Sequence, residues 1–154
     1  MSVLVRRVRV NRLRLPHDAI KATARVDYVN RDVVRAMPNG EGAEVDVVLF
    51  KLGRWVSDDA LEGEYKRRAL RAADPYSVAA VNELDPAFAD THPNATHWKD
   101  AEGYWCFLTF SRWDDKRLVQ ARRNEHEWDD DWWFAGLADD RAEQNPASQT
   151  TGLC

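Results

Sequence analysis

Six of the seven tryptophans in this 154-residue chain lie between Trp98 and Trp133, and the last three fall in the run Glu125-His126-Glu127-Trp128-Asp129-Asp130-Asp131-Trp132-Trp133-Phe134. An indole removes about 150–250 Å² from water when it is buried. So many in so short a stretch leave two solutions for the C-terminal half. Either the rings are the interior of a β module, or some of them stand on a surface that grips something. Tyr104–Trp113 points to the first for its own residues. Trp105 and Phe107 alternate there with Tyr104, Cys106, Leu108 and Phe110, so both strand faces are apolar, as in a central strand.

The periodicity around that strand predicts an antiparallel meander over residues 97–136, with Trp98 on a short first strand and Trp132-Trp133-Phe134 on the last. Strand alternation then sends Trp132 and Phe134 inward with Trp105, and Trp133 outward. Residues 90–97 read as loop. Upstream, Val3, Val5, Val8, Val10, Leu13 and Leu15 alternate with polar residues, but the phase slips near Arg6-Arg7 and near Asn11-Arg12. A β-bulge at each slip would restore one apolar face. Residues 19–36 fit a helical stripe or an alternating strand. Their β-branched content favours a strand over 19–28, paired with the first as a hairpin, then a short helix from Asn30 as N-cap to Met37.

Pro38-Asn39-Gly40-Glu41-Gly42 is a turn, and Val45–Leu52 a buried strand. Ser57-Asp58-Asp59 opens a helix over 58–73, with Ser57 as N-cap, the acids favoured by the positive helix end, and Leu61, Tyr65, Ala69 and Ala72 inward. Glu62–Lys66 and Glu64–Arg68 fit i,i+4 pairs on its surface. Asp74-Pro75 starts a second helix carrying Val78, Val81 and Leu84. The predicted fold class is α+β: a small N-terminal sheet (3–52), two linking helices (58–84) and the tryptophan-rich meander (97–136). Residues 1–137 form one domain, and 138–154 a polar, disordered tail.

Charge is unevenly spread. Residues 1–36 hold nine Arg and Lys against three Asp, net +6, whereas residues 124–143 hold eight Asp and Glu against one Arg, net −7. The two ends could lie together and neutralise one another, or either could meet a partner. Arg7, Arg9, Arg12 and Arg14 on one strand face would recur at about 6.6 Å, near the spacing of phosphates along a nucleic-acid strand, and Arg grips phosphate bidentately.

Enzyme signatures are missing. No glycine-rich phosphate loop, no Gly-x-Ser-x-Gly elbow and no His-Glu-x-x-His occurs. His92 and His97 beside Asp90 fix no metal or acid–base geometry, and no metal or cofactor is expected. Cys106, in an apolar segment, reads as a packed thiol, and two distant cysteines suit a reducing cytoplasm better than a disulfide. No apolar stretch reads as a secretory signal or as a bilayer span.

The sequence therefore leads to a small non-enzymatic cytoplasmic binding protein, of the kind a phage or mobile element uses as an accessory. Its expected contact zone is the acidic, aromatic stretch Glu125, Glu127, Trp128, Asp129, Asp130, Asp131 and Trp133, and its expected partner another protein. Aromatic residues supply interface energy and carboxylates select a basic partner. Two other readings stand beside it. The arginine row could bind nucleic acid, or Glu125, Glu127 and Asp129 could serve a carbohydrate-active or metal-dependent hydrolase.

Overall fold

A computed structural model describes residues 2–139. Thirteen elements follow in order: β1 (Val3–Arg9), α1 (Pro16–Lys21), β2 (Val26–Val29), α2 (Arg31–Arg35), β3 (Glu44–Lys51), α3 (Asp58–Arg67), β4 (Leu70–Ala72), α4 (Pro75–Leu84), α5 (Phe88–Thr91), β5 (Asn94–Lys99), β6 (Trp105–Trp113), β7 (Lys116–Arg123) and β8 (Trp133–Ala138). The fold is α+β.

All strands join one sheet, in the order β1-β3-β8-β5-β6-β7-β2, with β4 also paired to β8. The expected division into an N-terminal sheet and a separate meander is thereby corrected. The reason lies in β8, which does not return beside β7. It inserts between β3, antiparallel, and β5, parallel. Because β5, β6 and β7 alternate in direction, β8 runs parallel to β7 as well. Parallel strands of one sheet need a crossover connection. Residues 124–132, which hold the acidic tryptophan run, are that crossover.

Both sheet faces are covered at the centre. Val47, Leu49, Leu108, Phe110, Val119, Trp133 and Ala135 pack into one core with residues of α1, α2, α4 and α5. The other face meets α3, where Leu61 and Tyr65 pack with Phe50, Ala95, Trp128 and Phe134. Alternation along β8 thus buries Trp133 and Phe134 on opposite faces. Gly136 lets α3 approach, since a Cβ there would stand 3.1 Å from Tyr65 Cε1 and 3.2 Å from the Arg71 carbonyl oxygen.

Several local expectations change. β1 has no bulge: its register with β3 is unbroken from Val3↔Phe50 to Arg9↔Glu44. Leu4, Arg6 and Val8 point inward, while Val3 and Val5 are exposed. Arg6 sits at an inward position because its guanidinium lies over the Phe88 ring, 4.8 Å from the centroid. Residues 19–28 are not a hairpin strand. Pro16 at the first helical position starts α1, and β2 pairs parallel with β7 at the far edge of the sheet. The helix capped by Asn30 forms, its side chain accepting from Asp32 N and Val33 N.

Ser57 caps α3 as expected, but the helix stops at Arg67; Ala69 takes φ 56° and Leu70–Ala72 pairs with β8. The stretch read as loop over 90–97 holds α5's last residues and most of β5. Of the predicted tail, Ala138 closes β8, and residues 140–154 lie outside the described part.

Candidate functional site

The crossover 124–132 leaves the end of β7, passes over the second sheet face and enters β8. A segment crossing a sheet face needs an apolar anchor, and Trp128 supplies it. Its ring lies 5.5 Å from each of Phe107, Trp132 and Phe134, with edge-to-face geometry throughout. Val56 and Trp128 exchange both backbone hydrogen bonds, at 3.0 and 2.8 Å, which ties the crossover to the chain entering α3. The expectation that Trp128 or Trp133 stands in water is overturned. Trp128 is 5% exposed and Trp133 9%, the latter packed on His92 at 4.9 Å. Trp132, expected inside, is half-buried on the rim, as is Trp105.

The acidic side chains do face solvent. Glu125, Glu127, Asp130 and Asp131 are exposed, Asp129 partly so. Asp129 Oδ1 accepts from Asp131 N at 3.0 Å, shaping the turn into β8. Next to them is a depression of about 340 Å³, lined among others by Phe107, Thr109, Gln120, Arg122, Glu127 and Trp132. Its floor is the part of the sheet face that α3 does not reach.

Beneath the crossover lies a buried polar cluster that sequence reading missed. Asp58, the first residue of α3, is 7% exposed, and His97 on β5 is 2% exposed. Asp58 Oδ1 lies 2.7 Å from His97 Nδ1 and accepts from Trp128 Nε1 at 2.8 Å; Asp58 Oδ2 accepts from Asn124 Nδ2 at 2.8 Å. On the far side of the imidazole, Nε2 lies 2.8 Å from Glu62 Oε1. Trp105 stacks on the same ring, with centroids 4.2 Å apart and planes 14° apart, and its Nε1 donates to Asp59 at 3.0 Å.

Both imidazole nitrogens face carboxylates, so both contacts are hydrogen bonds only when His97 is doubly protonated. Burial by itself would lower its pKa, but the bonds to Asp58 and Glu62 outweigh burial and raise it. The same bond from His97 holds Glu62 below the usual carboxylate range, against partial desolvation. Glu62 therefore turns to His97 rather than to the expected Lys66. A trace of this cluster is present in the sequence. Asp58, Leu61, Glu62 and Tyr65 share one helix face, so two acids lie on the stripe that also carries the apolar contacts.

His97 does not join His92 and Asp90 in one cluster. Asp90 is paired with Arg112 and Arg117, and His92 stacks on Phe88. Cys106 is a free thiol whose pKa burial pushes up to about 11, so it is packed rather than nucleophilic. Among the described residues Asp129, Asp130 and Asp131 bring carboxylate oxygens within 4.8 Å of one another. Such surface triplets occur widely without an ion.

The arginine row is dispersed. Arg7 pairs with Glu44 and Asp46, and Arg9 with Glu44. Arg14 takes Glu83 through both nitrogens, at 2.7 and 3.2 Å. Arg12 is nearly buried. It reaches Asp74 at 2.8 Å, Ser77 at 3.3 Å, and the carbonyls of Asn39, Glu41 and Gly42, clamping the 38–42 turn onto α4. The four arginines of the row find their carboxylates in residues 44–83, not in the acidic crossover.

No family model, no curated protein and no solved structure matches this chain. No helix among the described residues is long and apolar enough to cross a membrane.

Proposed function

We propose that this chain is a non-enzymatic cytoplasmic interaction protein, and that the acidic crossover and the adjoining depression receive a basic segment of another protein. One observation carries the reading. Arg7, Arg9, Arg12 and Arg14 all have carboxylate partners within the chain, and Glu64, Asp90 and Asp100 have arginine partners. Among the described residues no ion pair involves Glu125, Glu127, Asp129, Asp130 or Asp131. No other stretch of the described residues sets as many carboxylates close together without an ion pair, and this one lies on a segment anchored at Trp128. Half-buried Trp132 and Phe107 offer apolar contact beside that charge, the combination that protein interfaces use. A fixed surface also avoids part of the ordering cost of association. The cytoplasmic placement rests on the free, packed Cys106.

The test uses labelled deca-arginine as the probe and fluorescence anisotropy as the readout. The variant Glu125→Gln/Glu127→Gln/Asp130→Asn/Asp131→Asn should weaken binding by about tenfold or more at 0.1 M salt, where surface charges act over about 10 Å. Arg7→Gln/Arg9→Gln should not weaken it. Equal affinity for wild type and the acidic-site variant overturns the reading.

A further inference from the structure

The stretch Glu125-His126-Glu127 is an arch whose two feet stand on one carboxylate. Asn124, at the first foot, gives its amide to Asp58 Oδ2; Trp128, at the second, gives its indole N–H to Oδ1, both at 2.8 Å. The first foot is also held by Asn124 N donating to Trp105 O at 2.8 Å, the second by the backbone exchange with Val56. Asp58 is in turn fixed from behind by His97, whose other nitrogen meets Glu62. Its place at the N-terminus of α3 adds the favourable end of the helix dipole.

From this we infer that Asp58 is the positioning residue of the interaction surface: its carboxylate pins both ends of the acidic arch to α3, and His97, backed by Glu62, keeps it aimed. The functional half of this inference rests on the reading above; the mechanical half does not. One feature singles out Asp58. Its two oxygens serve opposite feet, so no neutral side chain of the same size accepts both donors. An asparagine there turns an amide toward either Asn124 or the pair Trp128 and His97, setting donor against donor. Buried donors left without acceptors then favour release of one foot.

Tyr65 of α3 also faces this assembly, its ring 5.8 Å from that of His97. Asp58 and Glu62 come from α3, with Lys66 also near Glu62. Lys99 from β5 sits over the Trp105 ring at 5.1 Å, and Asp59 engages the outer edge of the same indole. Lys99 and Asp59 both lie beyond Trp105, so neither replaces the acceptor role of Asp58 toward the arch.

The experiment compares wild type, Asp58→Asn and Asp59→Asn as full chains. Asp59→Asn removes the same charge one residue away without touching either foot. Amide hydrogen exchange is followed at His126 and Trp128, whose N–H groups donate to Asn124 Oδ1 and to the Val56 carbonyl, and deca-arginine affinity is measured on the same samples. Asp58→Asn should speed exchange in the arch by about tenfold or more and weaken the peptide by about tenfold, the ratio equivalent to about 1.4 kcal/mol. Asp59→Asn should change both by less than about twofold. Should Asp58→Asn fail to fold, Trp128→Phe removes the donor at the second foot and leaves Asp58 paired with His97 and Asn124; it should raise arch exchange in the same direction. Unchanged exchange in the folded variant overturns the pin, whatever the peptide does. Faster exchange with unchanged peptide affinity overturns its functional consequence. Faster exchange in a protein whose wild type does not bind deca-arginine sustains the pin and refutes the interaction surface.

Discussion

Replacing Trp128 by alanine and by phenylalanine separates the two things this residue does. A Trp side chain that buries about 150–250 Å² contributes about 4–6 kcal/mol gross at about 25 cal/mol per Å². Trp128 is 5% exposed, so nearly all of that applies. Residual burial in the denatured chain takes off about 10–40%, which leaves about 3–5 kcal/mol, the usual cost of Trp→Ala in a core. Phenylalanine keeps a ring against Phe107, Trp132 and Phe134 but removes the donor to Asp58. A hydrogen bond to a charged group is worth about 1.5–3 kcal/mol, so Trp128→Phe should cost about that much. Urea unfolding at neutral pH reads both. With a slope of about 2 kcal/mol per M, Trp128→Ala should move the midpoint by about 2 M and Trp128→Phe by about 1 M. A loss below about 1 kcal/mol for alanine would show that the ring is not an anchor. A loss near zero for phenylalanine would show that the bond to Asp58 contributes nothing.

Three further outcomes follow from the same structure. The raised pKa of His97 means that its pairing stabilises the fold fully below the ordinary imidazole value of 6.5, and that this contribution is lost as pH rises through the folded value. The lowered pKa of Glu62 contributes above the ordinary value of 4.5 and is lost as pH falls through its folded value. Stability measured by denaturation across pH should therefore peak between these limits, and His97→Gln should flatten the alkaline decline; an unchanged alkaline limb would refute the charged imidazole. Arg12→Lys should cost about 3 kcal/mol or more by thermal unfolding, since a single ammonium cannot replace a planar fork that reaches Asp74, Ser77 and three carbonyls; a change under about 1 kcal/mol would contradict the clamp. Because Arg7, Arg9 and Arg14 are already paired with carboxylates, single-stranded DNA should bind weakly, and Arg7→Gln/Arg9→Gln should leave the salt slope of any residual binding unchanged; a slope that falls by about two would restore the nucleic-acid reading.

What could be read from the sequence was local. The two-faced apolar pattern of Tyr104–Trp113 placed β6 inside the sheet, and Ser57 and Asn30 marked their helix starts because a cap is a contact between near neighbours. The end of α3 was not legible. Lys66-Arg67-Arg68-Ala69 contains no breaker, and the helix stops because Leu70–Ala72 gains more by pairing with β8. The phase slip placed near Arg6-Arg7 came from treating the inward position of Arg6 as a break in the pattern, and only the ring of Phe88 from a distant helix accounts for a charge there. The position of β8 was hidden for the same reason. A strand's alternation shows that it has two faces, not which strands flank it. That one unknown exchanged the predicted fates of the tryptophans: as a last meander strand β8 would have exposed Trp133, whereas as a central strand it buries both faces and makes 124–132 a crossover that must anchor through Trp128. The carboxylates of that stretch were found because exposure of Asp and Glu needs no tertiary knowledge. Asp58 and Glu62 were passed over because their partner, His97, lies on β5, far along the chain from α3.

The most direct test of the account is an amide chemical-shift map of the ¹⁵N-labelled full chain titrated with deca-arginine. The account predicts saturable shifts confined to the arch and its depression, at Glu125, Glu127, Asp130, Asp131, Gln120 and the indole N–H of Trp132, with Val3–Arg9 and the α4 helix silent. Shifts centred on β1, or none at any concentration that leaves the protein folded, would contradict it.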